Sequence, residues 1–238
     1  MSAEWKLQTE RRLLEGLTPE VLRTSDLNMM VCCGRGNPPS PASIARWQKE
    51  LVISGKLKEV IKGVYLNRLG HRNVGAGAAA HHVRSGAIVS LSCVLEEAGL
   101  TNNFGDTITC VIPTHPSWPS PQIGDRKTAA GTFRFFGMPA GLVDAGELDD
   151  NSDPKFQYPR RTPERAFADW VYLGASPRSR LNPPPLDISF HELDQARLGR
   201  LVQAMEIQGQ FHSWVERYNA YQSDEDVQAN AATGLVLE

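Results

Sequence analysis

Apolar positions recur along this chain with two periods, one helical and one of strand type, and runs of breakers separate the segments that carry them. Residues 4–15 (EWKLQTERRLLE) set Trp5, Leu7 and Leu14 at helical spacing before Gly16 stops the pattern. Thr18-Pro19-Glu20 reads as a cap, a first-turn proline and an acid, which predicts a short second helix through Leu22. Cys33-Gly-Arg-Gly-Asn-Pro-Pro-Ser40 is rich in breakers and predicts a loop. Ser40-Pro41 then opens a third helix, in which Ile44, Trp47, Leu51 and Val52 form one apolar stripe. Ser43, Arg46, Gln48 and Lys49 fall on its remaining surface, and Gly55 ends it. Two β-prone runs, Leu57–Ile61 and Val64–Leu66, flank Lys62-Gly63 and predict a hairpin.

Past a Gly/Ala-rich joint at residues 73–83, helical from Ala76, the pattern changes. Ala87–Val89 is a short apolar run, and Ser90 reads as the cap of a compact helix with Leu91, Val94 and Leu95 inward and Gly99 at its end. Asp106–Ile112 and Thr132–Phe136 alternate like strands, and the proline-rich stretch between them predicts a long irregular loop. A turn-rich acidic segment, Gly146–Pro154, precedes a helix opened by Thr162-Pro163-Glu164. A closing helix pair is expected over Glu192–Ile207 and Gln210–Tyr221, with a frayed tail beyond Ser223.

Helices followed by a basic hairpin describe a winged helix-turn-helix, so the expected fold class is α+β. Residues 1–72 are expected to form a winged helix-turn-helix DNA-binding domain. Residues 73–238 are expected to form a mixed α/β, antitoxin-like domain with a small sheet and several helices. At 238 residues the chain exceeds the usual single-domain size of roughly 100–150, which suits this division. A composition of 41% hydrophobic and 22% charged residues excludes general disorder. No run approaches the roughly 18 apolar residues of a membrane span, and the opening MSAEWKLQTERR lacks a signal-peptide core. Cys32, Cys33, Cys93 and Cys110 show no metal-ligand spacing, which fits free thiols in the cytoplasm.

Charge sharpens the division. Net charge is -2, yet residues 1–72 carry 12 Lys+Arg against 7 Asp+Glu, leaving 13 against 20 in residues 73–238. A basic head on an acidic body is the footprint of a polyanion-binding module joined to a domain with another task. A solvated basic face is the bland alternative, and a winged helix used for protein docking is a third. On the DNA reading, Ser43, Arg46 and Lys49 of the third helix face the major groove, while Lys56, Lys58 and Lys62 of the wing meet phosphates.

Signatures of catalysis are weak. His81-His82 point about 100° apart on a helix and make a poor ligand pair. Gly34-Arg-Gly36 is not a phosphate loop, the one Glu-x-Lys (Glu4-Trp5-Lys6) lies in the opening helical segment rather than on a strand, and Ser90 and Ser92 lack a Gly-x-Ser-x-Gly context. His115 and His191 suit solvent or capping roles. Asp169, on an apolar helix face, needs a partner, and Arg165 is placed to be one across a single turn. The aromatic residues Phe167, Trp170 and Tyr172, and Phe211, Trp214 and Tyr218, read as core rather than as an exposed docking anchor. We therefore expect no enzyme, no catalytic residues, no metal and no cofactor.

Three segments together resemble a known family. LKEVIKGVYLNRL resembles the wing of AbiEi-type antitoxins, GAIVSLSCVLEEAGLTNNFGDTITCVIP resembles the segment that follows it, and TPERAFADWVYLG is similar to a later helix with an Ala-x-x-Asp pattern. The resemblance implies a transcriptional repressor of its own operon, with a winged helix and an antitoxin domain, in a type IV toxin–antitoxin pair. The implied partners are operator DNA carrying inverted repeats and a nucleotidyltransferase-like toxin, with no membrane. It transfers no catalytic residue. The long loop before the third helix departs from the family pattern.

Overall fold

A computed structural model describes residues 4–15, 18–33, 37–101, 105–121 and 123–223, and over these the chain is α+β. The expected glycine stop at Gly16, the Gly34–Gly36 pair and the tail beyond Ser223 lie outside the described residues.

The head runs α1 (Glu4–Leu14), β1 (Val21–Arg23), α2 (Thr24–Cys32), α3 (Pro41–Ile53), β2 (Leu57–Ile61) and β3 (Val64–Asn67). Its sheet is antiparallel throughout, in the order β1-β3-β2. The short helix expected through Leu22 does not form. Val21–Arg23 instead pair with Val64–Leu66, which buries Leu22, and strand pairing outweighs the local cap signal. The helix starts at Thr24, where the Arg23 backbone N–H donates to Asp26 Oδ2 at 2.7 Å. α3 forms as its pattern predicts. Ser40 accepts the Ser43 N–H at 3.3 Å, Pro41 occupies the first turn, and Gly55 follows with φ +73°. Ile44, Trp47 and Leu51 are buried, with Trp5 edge-on to Trp47 at 5.3 Å. Gln48, expected on the surface, is buried and donates to Asn28 Oδ1 at 3.2 Å, tying α3 to α2.

The body begins with a 3₁₀ turn at Ala76–Ala79 and continues with α4 (Ala80–Val83), β4 (Ile88–Val89), α5 (Ser92–Glu97), β5 (Thr107–Thr114), β6 (Gly124–Thr128) and β7 (Gly131–Pro139). After these come α6 (Ala140–Val143), α7 (Leu148–Asn151), α8 (Pro163–Ala175), α9 (Gln195–Ala204) and α10 (Gln208–Gln222). The second sheet has the order β4-β5-β7-β6. β5 and β7 are parallel, and the outer pairs are antiparallel.

Two expectations are corrected here. The proline-rich segment contains a strand, β6, whose GDRKT sequence has no apolar alternation because it is an exposed edge. Ser90 is not the cap of α5. The helix starts at Ser92 after Leu91 at φ +65°, and the Ser90 hydroxyl donates to Asp169 Oδ2 instead.

Two apolar cores result. The head core gathers Trp5, Leu13, Leu22, Leu27, Ile44, Trp47, Leu51, Leu57 and Tyr65. The main core lies between the second sheet and α5, α8, α9 and α10, and includes Phe133, Phe135, Phe167 and Trp214. The β2–β3 hairpin belongs to both. Leu57 and Tyr65 enter the head core, whereas Val60, Val64 and Leu66 enter the main one. The Ala-rich joint packs beside β3 with Ala78, Ala79 and Ala80 buried. No helix among the described residues is long and apolar enough to cross a membrane.

Candidate nucleic-acid interface

With Ile44, Trp47, Gln48 and Leu51 turned inward, helical spacing puts Ala42, Arg46, Lys49 and Ile53 along the centre of the opposite face of α3. Arg46 and Lys49 are exposed and make no ion pair among the described residues. The stripe is thus two cations on a helix whose other face is fixed by packing. Ser43 sits at its flank near the N-terminus, where its hydroxyl meets Ser40 Oγ at 2.9 Å as part of the cap. Glu50, on the same flank, is held by Lys6 of α1 at 2.6 Å, so its charge is neutralised beside the stripe.

The three hairpin lysines go to three different places. Lys62 is exposed at the tip. The turn there is tight, with Gly63 at φ +80° and its carbonyl accepting the Thr24 N–H at 2.9 Å, so the tip lies against the N-terminus of α2. Lys56 stands at the other end of β2, six residues and about 20 Å of strand away. It is bound to Glu10 of α1 at 2.5 Å. Lys58 pairs with Leu66 across the ladder and so shares the face that packs on the main core, where it is half-buried. The structure therefore brings together Arg46 and Lys49 on α3, with Ser43 at their flank. It sets Lys62 at the hairpin tip and takes Lys56 and Lys58 elsewhere.

One residue at this end of the head went unread in the sequence. Arg23 is exposed, pairs with Val64 next to the tip, and donates from Nε to His82 Nδ1 at 3.4 Å. Its position depends on β1, and the cap-like Thr18-Pro19-Glu20 hid that strand. The signal that finds it is the Val-Leu pair followed by Thr-Ser-Asp, a better helix start than the one before it.

Two of the histidines bond to backbone N–H groups close by in the chain. His81 Nδ1 accepts the Gly86 N–H, and His115 accepts the Ser117 N–H at 3.2 Å. His191 is exposed beside Glu192. Among the described residues no three His, Cys, Asp or Glu side chains cluster as metal ligands do.

No protein-family model matches the chain, and no curated protein matches it. Among solved structures it is similar to the RV2827C protein from Mycobacterium tuberculosis, with a TM-score of 0.47 and 18% identity over 84% of this chain and 71% of that one. At that distance nothing about function passes from one chain to the other.

Proposed function

We propose that the head is a winged helix that binds duplex DNA, and that the chain is a transcriptional autorepressor and antitoxin whose partner is a nucleotidyltransferase-like toxin. The observation that carries the DNA reading is the outward pair Arg46 and Lys49 on a helix locked by its opposite face. An α-helix fits the roughly 12 Å major groove, and arginine reads guanine there with two hydrogen bonds. Lys62 and Arg23, beside the N-terminus of α2, supply phosphate contacts that fix the register.

The antitoxin half of the reading rests on the resemblance of three segments to AbiEi-type proteins. In support, these segments are neighbours in space. β4 pairs with β5, α5 packs on α8, and Val60, Val64 and Leu66 of the hairpin join the same core. A single winged helix buries only about 600–1,000 Å² on DNA, so two copies on an inverted repeat account best for specific binding.

The deciding experiment titrates the protein against the DNA upstream of its own gene, with random duplex as control, over a range of salt. We expect a preference of roughly 10³ or more that falls steeply with salt. Absence of binding near physiological salt would overturn the reading in favour of a protein-docking head.

A further inference from the structure

A cleft unconnected with the head opens where β5 and β7 end. It is a cavity of about 660 Å³, walled on one side by the sheet and on the other by the last turns of α8 and the residues after it. Three arginines reach it. Arg134 is spent on Asp125, its cross-strand neighbour, through a two-pronged contact of 2.6 and 2.8 Å. Arg178 and Arg180 are exposed and form no ion pair among the described residues. Three guanidinium groups against one carboxylate leave the cleft with a charge of about +2, which favours an anionic ligand.

The backbone that presents these arginines is held in place. Arg180 has φ +54°, a left-handed conformation unusual for a side chain other than Gly, Asn or Asp. Ser179 fixes it, since its hydroxyl reaches the carbonyls of Leu173 and Ser176 and accepts the Leu181 N–H at 3.1 Å. Strain of this kind persists where surrounding structure imposes it, and such residues cluster at ligand sites. The remaining wall is apolar and partly aromatic, with Phe136, Tyr172, Ile123 and Leu181.

Position agrees with chemistry. β5 and β7 run parallel from Thr107↔Thr132 to Thr114↔Pro139, and the cleft takes in Thr114, Gly137 and Pro139 at their carboxyl ends. The crevice beyond the carboxyl ends of parallel strands is where open sheets bind ligands. The volume falls within the roughly 300–1,000 Å³ of small-molecule sites. A free phosphate would satisfy the arginines and leave the aromatic wall bare. A planar base stacks on aromatic side chains, and a dianionic phosphate matches two free guanidinium groups.

We propose that this cleft binds a nucleoside 5′-phosphate, either free or at the end of a nucleic-acid strand, with the phosphate on Arg178 and Arg180 and the base against Tyr172 and Phe136. The proposal is independent of the DNA-binding reading, because no residue of the head takes part.

Calorimetric titration of the full chain tests it with AMP, GMP, inorganic phosphate, and a dinucleotide with and without a 5′-phosphate. We expect saturable binding of AMP or GMP below about 1 mM, with phosphate at least about ten-fold weaker. The double variant Arg178→Ala, Arg180→Gly should weaken nucleotide binding at least about ten-fold without lowering the melting temperature, since glycine relieves the left-handed residue. Tyr172→Ser should weaken nucleotide binding and leave phosphate binding as it was. A 5′-phosphorylated dinucleotide that binds as tightly as the mononucleotides supports strand ends as the source, and weaker binding supports the free nucleotide. No saturable binding of any of these probes, or unchanged binding to the double variant while it remains folded, would overturn the proposal.

Discussion

Asp169 shows what a single buried charge requires. Its carboxylate is out of contact with solvent and lies 2.8 Å from Arg165 Nε and 3.5 Å from Arg161 Nε, with the Ser90 hydroxyl on Oδ2 at 2.8 Å. Two buried guanidinium groups face one carboxylate, and the excess positive charge is met by backbone carbonyls. Arg165 also donates to the carbonyls of Leu142 and Ala145 and to the side-chain Oδ1 of Asn151, and Arg161 to the carbonyl of Val143, so the carbonyl end of α6 supplies negative potential. Asp169→Ala should therefore cost about 3–5 kcal/mol in urea unfolding, because it strands two cations in the core. Ser90→Ala removes one donor to a charged group and should cost about 1.5–3 kcal/mol. A loss below about 1 kcal/mol for Asp169→Ala would show that water reaches the site. The Arg165–Asp169 pair was legible in the sequence because one helical turn separates them. Ser90 lies 79 residues away and the α6 carbonyls leave no mark in the side-chain pattern, so neither could be read.

At the scale of elements, α3 and the hairpin make separable predictions. If Lys62 meets phosphate, Lys62→Ala should weaken binding to all duplexes alike and flatten the dependence of log K on log salt by about 0.9. Lys56→Ala should leave that slope unchanged, because Glu10 already neutralises the side chain at the far end of β2. Arg46→Ala should instead relax sequence preference, costing about 1–3 kcal/mol at one base pair of the preferred site. A uniform loss across sequences would reassign Arg46 to the backbone. Helices with a regular apolar stripe and a cap, such as α3 and α8, were legible in their bounds and apolar face, although Gln48 of α3 is buried where the pattern put it outside. β1 and β6 could not. One is three residues long and preceded by helix-like capping residues, and the other is a polar edge without alternation. The hairpin itself was legible, but the faces of its lysines depend on a register set by β3 and by the bulge between Glu59 and Ile61.

For the molecule as a whole, the contact between head and body carries both a titrating group and a shared core. His82 of α4 meets Arg23 of the head, and its pKa is lowered first by burial, then by Arg23 and by neighbouring His81, against a smaller opposing effect of Asp26. The unfolded chain therefore takes up this proton at higher pH than the folded one. Above about pH 6.5 the two states do not differ at His82, and as pH falls below that value stability declines until the folded form protonates as well. His82→Gln should remove this part of the acid sensitivity, and an unchanged pH profile of unfolding would show that another group carries it. Cooperativity follows from the hairpin. Val60, Val64 and Leu66 are at most 8% exposed because the body covers them, while Leu57 and Tyr65 on the other face are covered by the helices of the head. The Ala129 N–H, in the β6–β7 turn, also donates to the Val60 carbonyl at 3.2 Å, so the second sheet grips the bulge of the first. Melting either core strips one face of the same two strands, and a two-stranded ribbon has little stability alone. The intact chain should unfold in one transition, coincident by tryptophan fluorescence of Trp47 in the head and Trp214 in the body and by far-ultraviolet dichroism. A fragment ending at residue 72 should fail to fold, because water would replace the body against three apolar side chains. Two resolved transitions, or a stable fragment, would instead make the head an independent unit and return the hairpin to it alone.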